Sequence, residues 1–249
     1  MRKKLVSSIN IFLLILSILA ICNSLLMLDD YHPLYSSIVE DEAGEIDIKS
    51  VKGYLIYINL DSLILKLYKD GSLIRTYPVS GGKNNTPSPT GTWKIISKSD
   101  WGEGFGGSWL GLNVPWGKYG IHGTKSPWFV GKSNASHGCI RMKNADAKEL
   151  YKIVPHGTTV IIVQKTLPFR ILKSGDVGSD VLMVQKALKK LGYFHDWESG
   201  KYGDNLKRSV IKFQKDNNFK VTGTVNKAVY DKIMQLYKEK LKEEQPEFE

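Results

Sequence analysis

The stretch Ser136-His137-Gly138-Cys139-Ile140-Arg141 is the most informative part of this 249-residue chain, together with Ile121-His122-Gly123 upstream. Cys139 is one of two cysteines, and the other, Cys22, lies in an apolar N-terminal segment. A cysteine that follows a histidine and a glycine, with a second histidine upstream, is typical of three kinds of site. It can be a nucleophile, a metal ligand or a buried unreactive thiol.

The nucleophile interpretation needs a sulfur, a base that takes its proton and donors for an oxyanion. Cys139 supplies the sulfur, its pKa is expected to be depressed, and either His122 or His137 is a candidate base. Gly138 permits a tight turn that would aim the amides of residues 137–139 at one oxyanion. A histidine two residues before the cysteine is badly placed to bend back onto it. Geometry therefore favours His122 as the base and leaves His137 to shape the site.

The two other interpretations are weaker. His122, His137 and Cys139 are chemically suitable zinc ligands, yet the sequence contains no Cys-x-x-Cys or His-x3-His pair. An unreactive buried cysteine is opposed by its glycine and histidine neighbours. The sequence also lacks nucleotide and flavin motifs, so we expect no metal and no cofactor.

The N-terminus has the pattern of an export segment. Residues 1–4 are positively charged, and residues 5–28 carry no charge over a length that exceeds the roughly 20 residues needed to span a bilayer. This charge order places residues 1–4 in the cytoplasm and the rest of the chain outside. Because no Ala-x-Ala cleavage site is present, we predict an uncleaved membrane anchor, with a cleaved signal peptide and a secreted protein as the alternative. Residues 29–50 are predicted to be an acidic linker.

Residues 51–165 show the alternation and β-branched content of strands, separated by loops rich in glycine and proline. Only residues 145–154 predict a helix, with Asn144 as its N-cap. We therefore expect a mostly-β domain, a mixed sandwich with few helices. The predicted strands are residues 54–60, 63–68, 73–77, 93–96 and 159–163, with Asp70-Gly71 as a hairpin turn.

Residues 167–237 change to a helical pattern and predict a small three-helix domain. The helices are expected at residues 180–191, at residues 205–217 and from Thr224 onward. A weak internal repeat relates Val184-Gln185 to Phe213-Gln214. Residues 238–249 are predicted to be a charged tail.

The net charge of +10 favours an anionic partner, which can be nucleic acid, a membrane surface or a wall polymer. Nucleic-acid modules interleave basic and aromatic residues, and no such patch is present, so we do not expect nucleic acid. A membrane and an anionic cell wall remain.

The residues around the cysteine resemble a known family. His122-Gly123 and the block 136–142 are similar to the signature of the L,D-transpeptidase catalytic domain, the YkuD family. The resemblance extends over about residues 52–164. It is also carried by Pro89-Thr90-Gly91-Thr92-Trp93, Trp109-Leu110-Gly111-Leu112, Tyr119-Gly120-Ile121, Asp146, Leu150-Tyr151 and Gly157-Thr158.

The resemblance implies a role for each matching residue. Cys139 would be the nucleophile, and His122 would be the base, oriented by the backbone carbonyl of Gly123. Arg141 would bind a substrate carboxylate through its guanidinium. Ser136, His137 and Gly138 would shape the site and its oxyanion hole. Among the aromatic residues near the site, Trp109 and Tyr119 are expected to contact the substrate. For Trp109, as for Trp101, Trp116 and Trp128, packing in the core or in a lid is the alternative.

The implied reaction is peptidoglycan cross-linking. The cysteine attacks a tetrapeptide stem after its third residue, D-Ala leaves, and an amine of a neighbouring stem resolves the acyl-enzyme into a 3→3 cross-link. Two alternatives stay open: an L,D-carboxypeptidase, in which water replaces the amine, and a catalytically silent wall-binding scaffold.

The helical region resembles the three-helix peptidoglycan-binding domain through Gly175, Gly178, Val184-Gln185, Leu191-Gly192-Tyr193, Gly203, Phe213-Gln214 and Gly223. Leu206 departs from that pattern, where a threonine usually begins a helix. The expected partners are therefore the stem peptides and the glycan of peptidoglycan, for a monomeric enzyme at the extracytoplasmic face of the membrane, associated with the cell wall.

Overall fold

The protein is seen here in a computed structural model that describes residue 48, residues 51–102 and residues 105–244. The predicted anchor at residues 5–28 lies outside these residues, as does the predicted linker except for residue 48. No helix within the described part meets the length and hydrophobicity that a membrane crossing needs. Residues 51–244 belong to one compact unit.

The strands of the described chain form a single mixed sheet of eight strands in the order β3-β2-β1-β8-β4-β5-β6-β7. Only β1 with β8 and β6 with β7 pair in parallel. Their bounds are β1 Tyr54–Asn59, β2 Ile64–Lys69, β3 Ser72–Pro78, β4 Gly91–Ser99, β5 Trp109–Leu112, β6 Tyr119–His122, β7 Ile140–Arg141 and β8 Thr159–Val163.

The mostly-β prediction is confirmed, but the two-layered sandwich is not. β4 is long enough to serve two partners: residues 91–94 pair with β8, and residues 95–99 pair with β5. This one strand therefore joins the two halves into a continuous sheet. The predicted hairpin turn is present, since Asp70 and Gly71 both have positive φ values, 48° and 77°.

One helix, α1 (Asn144–Ile153), packs its buried Ala147 and Leu150 into the core of the sheet. The predicted cap is wrong, because Asn144 is the first helical residue and makes no capping bond. Its Oδ1 instead accepts a hydrogen bond of 2.7 Å from the backbone N–H of Thr124. The side chain thus fixes a loop of the sheet rather than the helix end.

Three further helices follow: α2 (Ser179–Lys190), α3 (Asp204–Asp216) and α4 (Lys227–Glu244). The first two agree with prediction to within one residue at each end. The third begins later than Thr224, because Asn226 accepts a 3.0 Å bond from the Val229 amide and caps it. It also continues through much of the predicted tail, to Glu244.

The internal repeat appears as two equivalent glutamines, both almost fully buried. Gln185 Oε1 accepts a bond from the Gly200 amide at 2.7 Å, and its Nε2 donates to the Lys201 carbonyl at 3.0 Å. Gln214 does the same with the Gly223 amide and the Thr224 carbonyl, both at 2.9 Å. Each glutamine therefore clamps one loop around a glycine with positive φ, 67° and 66°.

The helical region packs directly onto the sheet region. Leu182 of α2 belongs to the same buried cluster as the residues of the sheet core. Gly200 lies so close to the Trp116 ring that a Cβ at position 200 would overlap it. Trp116 in turn packs edge-on against Trp93 of β4, with ring centroids 5.4 Å apart.

Candidate active site

Strands β6 and β7 bring the predicted site residues together. Ile121 pairs with Ile140, and His122 pairs with Arg141. Both isoleucines lie in the core, so the alternation of strand side chains directs His122 and Arg141 to the opposite face. Cys139 is two residues before Arg141 and precedes β7, which places it on that same face.

His122 has the geometry of a neutral base. It is only 6% exposed, and its Nδ1 lies 2.5 Å from the carbonyl oxygen of Gly123. A carbonyl only accepts hydrogen bonds, so Nδ1 carries the proton and Nε2 keeps its lone pair. Burial lowers the pKa of His122, the hydrogen bond to Gly123 opposes this, and the charge of Arg141 lowers the pKa further.

Aromatic rings enclose the imidazole. Trp109 stacks on it at a centroid distance of 5.6 Å, and Phe105 meets it edge-on at 5.0 Å. Trp101 stacks on Trp109, with ring centroids 4.0 Å apart. Trp109 is 2% exposed, which favours packing over the predicted contact with substrate. Its ring supports His122.

Cys139 is partly exposed, which does not fit an inert buried thiol. Burial raises its pKa, although a hydrogen bond from the backbone of Gly120 and the charge of Arg141 both lower it. The expectation of a depressed pKa is therefore wrong for the resting site. The thiol starts protonated, so a neighbouring base has to remove its proton at the moment of attack.

Ser136 organises the turn before the cysteine. Its Oγ donates to the Cys139 carbonyl at 2.6 Å and accepts from the Gly138 amide at 2.9 Å. The predicted oxyanion hole is thereby corrected, since the Gly138 amide is already bonded. Among the described residues the amides of His137 and Cys139 have no acceptor, and these two remain as donors.

Gly138 is required by its neighbours as well as by its backbone. Its φ is +120°, and a Cβ there would lie 2.6 Å from the ring of Tyr119. Tyr119 is partly exposed and borders the cysteine turn. It therefore remains a candidate for contact with substrate.

Sequence reasoning missed the segment that holds this turn in place. The Ser136 amide donates to the Gly81 carbonyl at 2.9 Å, and Ser80 and Arg141 exchange backbone bonds of 2.8 and 3.0 Å. Asn134 Oδ1 accepts from the Gly81 amide at 2.8 Å. The sequence pattern predicted only a loop at Gly81-Gly82. Nothing in the local sequence indicates that Asn134 binds the backbone of this loop.

The remaining predicted site residues are His137 and Arg141. His137 is exposed and Arg141 is partly exposed, so both can meet a substrate. His122, His137 and Cys139 do not form a metal cluster, and the described part of the chain has no group of three or more His, Cys, Asp or Glu residues that could hold a metal ion.

A cavity of about 470 Å³ adjoins the site. It is lined by Asp100, Gly102, Gly106, Gly107, Lys125 and Asn144. A Cβ on Gly106 would lie 2.8 Å from the Cα of Gly123, so the cavity is next to the loop that orients His122.

Comparisons with known proteins identify the family of this chain. Residues 53–162 match the sequence profile of the L,D-transpeptidase catalytic domain, and residues 177–233 match a profile described as "Putative peptidoglycan binding domain". The "Putative L,D-transpeptidase YkuD" of Bacillus licheniformis is 44% identical over 110 residues, which cover 44% of this chain and 65% of that protein. The "Putative L,D-transpeptidase YqjB" of Bacillus subtilis is 30% identical over 130 residues, 46% of this chain and 73% of that protein.

Among solved structures, an L,D-transpeptidase from Mycobacterium smegmatis is 26% identical, covering 44% of this chain and 58% of that one, with a TM-score of 0.38. One from Xylanimonas cellulosilytica is 26% identical, covering 46% and 62%, with a TM-score of 0.39. The chain spans 65% of the length of the YkuD proteins of both Bacillus licheniformis and Bacillus subtilis.

Proposed function

This chain belongs to the L,D-transpeptidase family, and we propose that it cross-links peptidoglycan through an acyl-enzyme on Cys139. The observation that carries the proposal is the state of His122: its Nδ1 is held by the Gly123 carbonyl, and it lies on the same face as Cys139 by strand register. A neutral imidazole with a free Nε2 is what a protonated thiol needs as its base.

In the acylation half, Nε2 of His122 takes the thiol proton while the sulfur attacks the carbonyl of the third residue of a donor tetrapeptide. The tetrahedral oxyanion is stabilised by the amides of His137 and Cys139. The C–N bond to D-Ala then breaks, and the imidazolium returns its proton to the leaving nitrogen. The products are a thioester on Cys139 and free D-Ala.

In the transfer half, the side-chain amine of an acceptor stem's diamino acid attacks the thioester. His122 takes a proton from that amine and returns it to the sulfur as the C–S bond breaks, which restores the thiol. The new amide bond is a 3→3 cross-link. Arg141 lies beside both reacting groups, since its charge acts on each of them, and we assign it the donor's carboxylate.

The helical region would supply the wall contact. Its match to a peptidoglycan-binding domain supports glycan and stem peptides as partners. Holding the enzyme on the polymer raises the effective concentration of stems at the site. The sequence of residues 1–28 supports an extracytoplasmic location for this reaction.

The test is incubation of the full chain with disaccharide-tetrapeptides, followed by mass spectrometry. We expect dimers that have lost one D-Ala, together with a covalent adduct on the protein. Cys139→Ala should give neither, and the exposed-site control Ser133→Ala should give both. Tripeptide monomers without dimers would indicate hydrolysis instead of transfer. If neither the wild type nor the variants give any product, the alternative of a catalytically silent wall-binding scaffold is favoured.

A further inference from the structure

The aromatic rings beside His122 form a closed arrangement that the reaction as written does not use. Trp101 and Trp109 are parallel within 4° at 4.0 Å. Phe105 meets all three of its neighbours edge-on, at 5.2 Å from Trp101, 6.1 Å from Trp109 and 5.0 Å from His122. We call Trp101, Phe105, Trp109 and His122 the aromatic box.

The outer end of the box carries a cation. The Lys118 ammonium lies 4.0 Å above the ring of Trp101, on the opposite side from Trp109 as a stack requires. A cation over an indole is attracted by the negative face of the ring. Lys118 therefore contacts Trp101, which in turn contacts both rings that pack on His122, Trp109 and Phe105.

Phe105 separates the imidazole from solvent on the open side of the box. It is 36% exposed, whereas His122 behind it is 6% exposed. Its loop is held by the Gly102 carbonyl, which accepts bonds from the Phe105 amide at 3.1 Å and the Gly107 amide at 2.9 Å. Gly106 lies directly against Asn144, where a side chain would not fit.

We propose that Trp101 and Phe105 are positioning residues that keep His122 neutral and aligned for proton transfer, and that Lys118 holds them closed. The effect on catalysis rests on the proposed function, whereas the protonation of His122 can be measured without it. Phe105 has no hydrogen-bonding group, so it acts by excluding water from the imidazole. A dehydrated imidazole is harder to protonate.

The charged and titratable groups near the imidazole come from several elements. Asp100, which accepts a bond from the Gly102 amide, and Lys125 line the cavity beside its loop. Arg141 from β7 lowers the pKa of His122, Cys139 shares its face, and Lys118 lies two rings away. Trp109, which faces it from β5, is uncharged. Opening the box while leaving Arg141 in place therefore isolates the contribution of water exclusion.

The direct measurement is an NMR titration of isotope-labelled histidine in the full chain, with the His122 signal identified by its loss in His122→Gln. In Phe105→Ala the pKa of His122 should rise toward the ordinary value, because water regains access to the imidazole. Trp197→Ala is the control for loss of an aromatic residue, since Trp197 is 69% exposed and lies in the helical region. It should leave the titration unchanged.

The functional measurement is the pH dependence of D-Ala release. The acidic limb should move to higher pH in Phe105→Ala, so the loss of rate is largest at low pH and shrinks above neutrality. Lys118→Met should give a smaller shift in the same direction, and Lys118→Arg should restore the original profile because Arg keeps the cation–ring contact.

An unmoved His122 titration in Phe105→Ala, with a rate lost equally at every pH, would overturn the inference and leave the box a packing feature. If the protein releases no D-Ala at all, the proposed function fails, yet the NMR titration still decides whether the box keeps His122 neutral.

Discussion

The thiol of Cys139 and the imidazole of His122 are both biased toward their neutral forms. Burial raises the pKa of the thiol and lowers that of the imidazole, because each charged form loses water. The resting pair is therefore thiol and imidazole, not thiolate and imidazolium. Charge separation is deferred until a substrate carbonyl arrives to accept the sulfur.

This bias predicts how Cys139 reacts with iodoacetamide. Only the thiolate is alkylated, so the rate should rise with pH and reach half its maximum above the ordinary cysteine value of about 8.5. Arg141→Gln should slow alkylation at a fixed pH, because Arg141 lowers the thiol pKa. Lys143→Gln, which removes a nearby exposed charge, is the matched control. A plateau already reached below pH 7 would contradict the prediction.

Ser136→Ala should impair catalysis more than any change in substrate contact would suggest. It removes the donor to the Cys139 carbonyl and the acceptor of the Gly138 amide. An unsatisfied buried amide costs about 1–3 kcal/mol, and the turn can relax by rotating other amides away from the oxyanion. The melting temperature and the rate of D-Ala release should both fall. Ser133→Ala should match the wild type in both assays.

At the scale of elements, local patterns predicted β1 to β3 and the turn between β2 and β3. Those strands are six or seven residues long, which is long enough for a local residue pattern to indicate a strand. The short strands β5, β6 and β7 were not predicted. They have four, four and two residues. The first two include a glycine, at positions 111 and 120, and all three form because distant segments pair with them.

The same limit applies to the site. The chemistry of Cys139 and His122 was visible in residue types, and the role of the Gly123 carbonyl was implied by family resemblance. The Gly138 amide was assigned to the oxyanion because nothing local shows that Ser136 reaches it. Trp109 was assigned to substrate because burial depends on Trp101, which is eight positions away in sequence.

The contact between α1 and the His122 loop gives a testable consequence. Asn144 Oδ1 accepts the Thr124 amide at 2.7 Å and lies within 2.6 Å of where a Cβ on Gly123 would be. Asn144→Leu should lower stability by about 1–3 kcal/mol and reduce D-Ala release, because the Gly123 carbonyl loses its support. Asn144→Asp keeps the acceptor oxygen and should retain most of both. Equal losses in the two variants would show that the acceptor is not what matters.

At the scale of the whole molecule, the two regions are joined by aromatic packing that reaches the site. Gly200 lies against Trp116, whose ring is 6.1 Å from that of Tyr119. Tyr119 in turn packs on Gly138, one residue before Cys139. The helical region thus reaches the turn before Cys139 through three successive contacts, from Gly200 to Trp116, Tyr119 and Gly138.

The twin glutamine clamps provide a matched test of this contact. Gly200 and Gly223 have the same backbone angle, 67° and 66°, so an alanine strains both loops equally. A Cβ at Gly200 overlaps Trp116, whereas one at Gly223 meets only flexible side-chain atoms of Lys207 and Ile211 at 3.1–3.3 Å. Gly200→Ala should therefore lower the free energy of unfolding by about 1–3 kcal/mol more than Gly223→Ala, because of overpacking. Its melting temperature should be correspondingly lower.

The same pair of variants separates packing from coupling. If Trp116 transmits the contact, Gly200→Ala should also slow D-Ala release from soluble disaccharide-tetrapeptides, which do not need wall binding. Gly223→Ala should leave that rate near the wild-type value. Equal rates and equal melting temperatures in both variants would mean that the two regions act independently.

The hydrogen-bond partner of His122 Nδ1 is a main-chain oxygen. This limits what an amino-acid substitution can do to the group that orients the imidazole. In a triad with aspartate, one codon change deletes the orienting group. Here every amino acid at position 123 supplies a carbonyl, so mutation moves the oxygen but never removes it. A saturation scan would report position 123 as a steric site, because a side chain there meets Asn144. The position of the orienting oxygen is set by the backbone conformation and not by a side chain. Only chemical replacement of that oxygen, such as a thioamide introduced by semisynthesis, would test its role directly.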